Sequence, residues 1–310
     1  MIRVAHEPPS WWRRHELPTW ALALAIYGGF AALTWRAGSL PWWLVGALGG
    51  WLVAWHGSLQ HELIHGHPTR WDRVNLALGS IPLGLWLPIG LYRDAHIAHH
   101  RSEALTDPLD DPESNYVTSE DWALRGPVGR GLLWARATLV GRMVLGPLWV
   151  IAALYRAELA RFRRGDFRHL RHWLVHAAGV AVVALWVVGA CGLPLWQYLL
   201  LFVYPGVALT LIRSYAEHRP APAQGQRTAV VERAPVFGLL FLFNNLHVVH
   251  HEEPKLPWYE IPGRYRAERA RYLAQNGDYR FRGYASLFCR HALRPLDAPV
   301  HPDHRTSAAS

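Results

Sequence analysis

Four stretches of this chain, residues 20–35, 42–55, 173–193 and 195–212, contain no Asp, Glu, Lys or Arg, and Trp stands at or beside most of their ends. Such blocks have few possible fates. A soluble chain of 310 residues, 51 % of them hydrophobic, lacks the interior to cover several of them. A bilayer, by contrast, takes helices of roughly 20 apolar residues, and Trp collects at its two interfaces. In hydrocarbon every backbone N–H and C=O must be paired internally, which favours helices over open strands. The expectation is an all-α integral membrane protein with two transmembrane hairpins, about four spans, linked through "RAGSLP" and near "GACGLP".

The net charge of +9 comes from arginine, Lys255 being the single lysine. The arginines flank the apolar blocks and form no separate basic module, so they read as positive-inside bias, with no nucleic acid as partner. The two hairpin links hold only Arg36, whereas the opposite side carries Arg93, Arg101, Arg125, Arg130, Arg161, Arg163, Arg164, Arg168 and Arg171. The links are therefore expected outside, and both termini and the polar regions on the cytoplasmic face, as in a bacterial inner membrane. No cleavable signal peptide is evident in the polar first 18 residues. The chain divides into a cytoplasmic arm (1–18), a membrane domain (19–290) and a C-terminal tail (291–310). Cys191 and Cys289 are too few for a four-thiolate cluster or a Cys-based zinc site.

Nineteen histidines are present, and their spacing is informative. "HELIH" places His61 and His65 at i, i+4 where the second apolar block ends. "HIAHH" places His96, His99 and His100 at i, i+3, i+4, and "HVVHH" repeats that pattern with His247, His250 and His251. On a helix each set shares one face. Clustered imidazoles desolvate badly and repel on protonation unless something binds them. A metal resolves both problems, and eight imidazoles exceed the needs of one ion, so a di-metal site is expected.

Topology must bring the three boxes to one side. The apolar stretch 74–92, interrupted by Pro82 and Pro88, then cannot be a complete crossing and is expected to be re-entrant or interfacial. The stretch 132–155 carries Arg136 and Arg142, costly at mid-bilayer, and is expected as an amphipathic helix on the inner surface. The second hairpin returns at "RSYAEHRP", which makes His218 a candidate ninth ligand. A cytoplasmic helical cap would hold the di-metal site.

Three boxes in this order, together with two hairpins, resemble the membrane-bound fatty acid desaturase and hydroxylase superfamily over about residues 20–259. The resemblance implies two iron ions in a nonhaem centre, O₂ as co-substrate, oxidation of an acyl or alkyl chain, and electrons from a partner. Carried over, the ligands are His61, His65, His96, His99, His100, His247, His250 and His251, with His218 matching the additional histidine after the second hairpin. "HEL" and "HHRSEALTDPLDDPES" are similar to the alkane monooxygenase branch, whereas "HVVHHEEPKLPWYEIP" is closer to bacterial desaturase-like proteins. Ser214 stands where acyl-CoA desaturases carry a water-holding asparagine.

Glu62, Glu217, Glu252 and Glu253 adjoin the boxes and are candidates to hold ligand imidazoles by their second nitrogen, as are Asp107, Asp110 and Asp111 from the loop after the second box. Asn245, with Asn244, is a candidate to hold water at the metals or to end the preceding apolar segment. His56 and His67 read as structural or supporting residues, and His169, His172 and His176 as interfacial. The activity expected first is desaturation of an acyl lipid or fatty acid. Hydroxylation or decarboxylation of an alkyl, fatty acid or carotenoid substrate is the alternative, and a metal transporter or membrane metal-binding protein is the different-class reading. A transporter would place polar ligands at mid-membrane, and these histidines sit at the inner ends of the spans. With no electron-carrying module of its own, the chain needs a separate donor such as ferredoxin or rubredoxin with its reductase, which an arginine-rich face could attract.

Overall fold

A computed structural model describes residues 10–304; the outermost parts of the expected arm and tail, residues 1–9 and 305–310, lie outside the described residues. A single turn, α1 (Trp11–Arg14), leads into α2 (Leu17–Arg36), which carries proline in its first turn, where a missing N–H costs nothing. One 3₁₀ turn, Ala37–Ser39, joins it to α3 (Trp42–Ile64). α4 (Asp72–Leu78) and α5 (Ile89–Arg101) bracket an irregular stretch, and α6 (Ser119–Ala123) and α7 (Pro127–Arg136) follow. Next come α8 (Leu139–Arg163) and α9 (Leu170–Ala184), the latter extended by π-helical turns over Leu185–Ala190. α10 (Leu195–Tyr198) runs through Leu199–Val203 into α11 (Tyr204–Tyr215). The remainder is a cap: β1 (Val230–Arg233) pairs in parallel with β2 (Arg280–Gly283), around α12 (Pro235–Leu240), α13 (His247–Glu252), α14 (Ile261–Gln275) and α15 (Tyr284–His291).

Four helical stretches are long and apolar enough to cross a membrane: Leu17–Ser39, Leu139–Arg163, Leu170–Ala190 and Leu195–Tyr215. α3 falls outside this set because its last turns are polar, yet it is the centre of the bundle. Gly49 and Gly50 let it approach α11 and the turns before it so closely that an added Cβ would lie 2.7 Å from the Phe202 ring and 2.9 Å from Pro205. α2 and α3 form the first hairpin, and α9 with α10 and α11 the second. Both links lie at the same end, where Trp186 Nε1 donates to Thr34 Oγ1 (2.9 Å) and Ala37, Leu40, Leu193 and Trp196 line one groove.

α8 has the composition of a span but begins and ends at the opposite, histidine-bearing level. Ala137, just before it, accepts from Tyr215 Oη at the end of α11 (3.0 Å), and Glu158 near its other end accepts from His169 and Trp173 at the start of α9. The stretch expected as an amphipathic helix on the inner surface is thus two elements, α7 and an α8 that is long and apolar enough to cross a membrane although its two ends share one level. Arg142 is turned toward the loop between α5 and α6, donating to Asn115 Oδ1 (2.6 Å) there and to the Arg136 carbonyl at the end of α7.

The stretch between α4 and α5 dips into the bundle and returns to its own side. Its carbonyls are satisfied by side chains: Leu78 by Tyr27 Oη (2.6 Å), Gly79 by Gln60 Nε2 (2.9 Å), Leu83 by Tyr198 Oη (2.5 Å) and Leu85 by His176 Nε2 (3.1 Å). Backbone unpaired with itself is tolerated at this depth because protein groups pair it.

Candidate metal centre

Each box rides on a helix end. His61 occupies the last turn of α3 and His65 is its C-cap; His96, His99 and His100 close α5; His247, His250 and His251 make up much of α13. His218 follows α11, held by a bridge to Thr228. The cap folds α13 back over the ends of α3, α5 and α11, and the imidazoles sort into two groups of four that could each hold a metal ion. One is His61, His65, His96 and His250; the other is His99, His218, His247 and His251, with ligand atoms inside each group no more than 4.8 Å apart.

Within the first group His65 Nε2 lies 2.9 Å from His96 Nε2; within the second, His218 Nε2 lies 3.0 Å from His99 Nε2 and 2.9 Å from His247 Nε2. Donors about 2.1 Å from a shared cation and at right angles to one another stand about 3.0 Å apart. His100 belongs to neither group of four: its Nε2 is 3.1 Å from His96 and 2.9 Å from His250, and its ring stacks 4.4 Å from His251, so it sits between the two sets. His61 Nε2 and His251 Nε2 are buried without a hydrogen-bond partner. Buried polar atoms are otherwise paired, so these two, aimed among other imidazole nitrogens, fit a metal.

The opposite ring nitrogens are fixed from behind. His96 Nδ1 donates to Glu113 Oε1 (3.0 Å), His99 Nδ1 to Asp111 Oδ1 (2.8 Å), His247 Nδ1 to Asn244 Oδ1 (3.0 Å) and His218 Nδ1 to the Arg227 carbonyl (3.3 Å). A proton held at Nδ1 leaves the Nε2 lone pair facing inward, the arrangement a metal ligand needs. Burial and the neighbouring imidazoles hold His250 and His251 well below the ordinary histidine value, so both are neutral donors at neutral pH. Burial opposes the charge on Glu113, but the imidazole of His96 outweighs it and holds the carboxyl well below the usual range.

Of the other expected supporters, Glu217 reaches a box histidine and the rest go elsewhere. Glu62 accepts from the Trp258 backbone N–H (2.9 Å) and faces His67 rather than a box histidine. Glu217 pairs with Arg213 (2.9 Å), accepts from Asn244 Nδ2 (3.1 Å) and lies 3.6 Å from His247 Nδ1, so it backs His247 both directly and through Asn244, as expected. Glu252 pairs with Arg271 on the surface (2.6 Å), and Glu253 accepts from Tyr272 Oη (3.0 Å). Asn245 ties the box to β1 by donating to the Val231 carbonyl (2.7 Å), leaving Asn244 as the asparagine that touches a ring. Ser214 bonds back to Leu211 and lines a small pocket with His218. His56 bonds Tyr27, His67 bonds Glu16, His169 bonds Glu158, His172 faces Asp94 and His176 holds Leu85; none joins the cluster. Glu113 was not foreseen individually. Its signal is the acidic run behind the second box, from which only a folded loop can select one carboxylate.

The profile of the fatty acid desaturase family matches residues 37–283, which include all nine of these histidines. The chain belongs to the fatty acid desaturase family. No curated protein sequence matches it significantly. Membership makes it an oxidoreductase of the fatty acid desaturase and hydroxylase type, set in a membrane. In this desaturase-family chain an apolar groove of about 180 Å³ runs between α3, α8, α11 and the dipping loop, lined by Val53, Leu85, Trp86, Val150, Val207 and Leu211, and reaches Glu113 behind His96.

Proposed function

We propose that this protein is an O₂-dependent diiron desaturase of an acyl lipid or fatty acid. The observation that supports this most directly is the pair of four-imidazole groups, backed at His96 by Glu113, a residue that also lines the apolar groove. His61, His65, His96 and His250 would hold one iron and His99, His218, His247 and His251 the other, with His100 between them. Bound there, the irons supply the redox chemistry with O₂ that an unactivated CH₂ requires. The chain's own residues do the rest. Asp111 and Glu113 keep protons on Nδ1 of His99 and His96, the groove side chains bury the alkyl chain and exclude water, and the fixed helix ends set which carbon lies nearest the irons. Hydroxylation uses the same parts and differs in the product released.

Electrons come from a separate carrier of ferredoxin or rubredoxin type with its reductase; the arginines clustered at the histidine end of the helices suit an acidic partner. That end, with both termini, faces the cytoplasm of a bacterial inner membrane under the positive-inside bias.

The test compares the lipids of a host with and without the expressed protein by mass spectrometry, and measures metal content and O₂ uptake of the purified protein. New unsaturated acyl chains, about two irons per chain and O₂ uptake only with reductant and substrate are expected. Hydroxylated lipids would move the assignment to the hydroxylase branch. Zinc filling the histidine groups, with no turnover, would overturn the oxidase reading.

A further inference from the structure

We propose that Asp107, His301 and His304 form a third divalent-cation site, of the zinc type, that clasps the C-terminal segment onto the loop behind the second histidine box. One ligand atom from each of the three residues lies within 4.8 Å of the others. None of them belongs to the boxes. His304 Nε2 is 2.7 Å from Asp107 Oδ2, and the His301 and His304 rings are 5.8 Å apart. Asp107 is oriented for this: its Oδ1 accepts from the backbone of Leu109 (2.8 Å) and Asp110 (3.3 Å), which turns Oδ2 toward the histidines. His301 is 3 % exposed and fixed by its backbone, which donates to the Val117 carbonyl (3.1 Å), and by its Nε2–H, which donates to Thr106 Oγ1 (3.0 Å); its Nδ1 lone pair, which meets the Asp303 N–H at 3.3 Å, would turn to the cation in place of that long contact. Ser119 Oγ donates to the His304 carbonyl. Two imidazoles and a carboxylate suit Zn²⁺ better than the oxygen-seeking Mg²⁺ or Ca²⁺, with a fourth position left for water.

The site has a mechanical consequence. Thr106 adopts φ 77°, a left-handed conformation that a β-branched residue resists. Its backbone N–H donates to Asp111 Oδ2 (2.8 Å), and Asp111 Oδ1 holds His99 Nδ1. Cation, His301, Thr106, Asp111 and His99 thus form one chain of contacts, in which Asp107, His301 and His304 are positioning residues for the metal centre. A free C-terminal end would leave the strained loop without this clasp.

The experiment uses full-length, iron-loaded protein dialysed against micromolar Zn²⁺, with iron and zinc counted by mass spectrometry. The wild type is expected to hold one zinc per chain more than Asp107→Asn or His304→Ala, at equal iron. His304 lies on the surface side of the cap, so its alanine variant reports even if Asp107→Asn folds poorly. Equal zinc in wild type and both variants, or zinc that leaves only together with iron, would overturn the proposal. The boxes contribute nothing to this site, so either result leaves the desaturase reading standing.

Discussion

At the scale of residues, the centre depends on where each imidazole's two nitrogens go. His250 takes part in the first group of four and touches His100, whereas His172 faces Asp94. His250→Ala is therefore expected to abolish product in the host lipid profile and lower bound iron, and His172→Ala to preserve both; equal effects would contradict the assignment. Asp111 and Glu113 act through the rings they hold. Removing such a partner typically costs 10–100-fold in metal affinity, so Asp111→Asn and Glu113→Gln should weaken iron binding by about that range in chelator competition. Glu252→Gln should not, because its surface pair with Arg271 contributes at most about 1 kcal/mol.

At the scale of elements, α3 and α11 meet through small residues. A Cβ on Gly206 would lie 2.5 Å from the Val53 side chain, whereas one on Gly28 would meet nothing within 4 Å. Forcing extra atoms into a packed contact costs about 1–3 kcal/mol, so Gly206→Val should lower the unfolding temperature in detergent and loosen the site at the end of α3. Gly28→Ala, on an open face of α2, should leave that temperature unchanged or raise it. The dipping loop illustrates the same dependence. Its form rests on Tyr27, Gln60, His176 and Tyr198 reaching its carbonyls, so it cannot be judged from its own residues.

At the scale of the whole molecule, burying so many imidazoles couples stability to pH. The folded-state values of His247, His250 and His251 are lowered by burial and by one another, while the unfolded chain titrates at about 6.5. Below about pH 6.5 the unfolded state binds more protons than the folded one, so the metal-free protein should lose stability as pH falls through that value and show little change above pH 7.5. Metal-loaded protein should follow the same direction, since protons compete with metal for Nε2. Thermal unfolding from pH 5 to 8, with and without bound iron, checks the sign; rising stability on acidification would contradict the buried cluster.

Long uncharged blocks and i, i+3, i+4 spacing are properties of adjacent residues, so the membrane class, the pair of hairpins and the candidate box histidines were legible in the sequence. It also anticipated that the stretch 74–92 turns back to its own side, since three boxes on one side leave no other parity, whereas the stretch expected as a surface helix holds α8, apolar enough to span. Tertiary structure decided what depends on residues far apart in the chain. It divided nine histidines into two groups of four with His100 between them, selected Asp111 and Glu113 from an acidic run, and sent Glu62 and Glu252 to Trp258 and Arg271. It also drew His301 and His304 from an apparent tail onto Asp107. Local spacing fixes the face a side chain occupies; only packing fixes what that face meets.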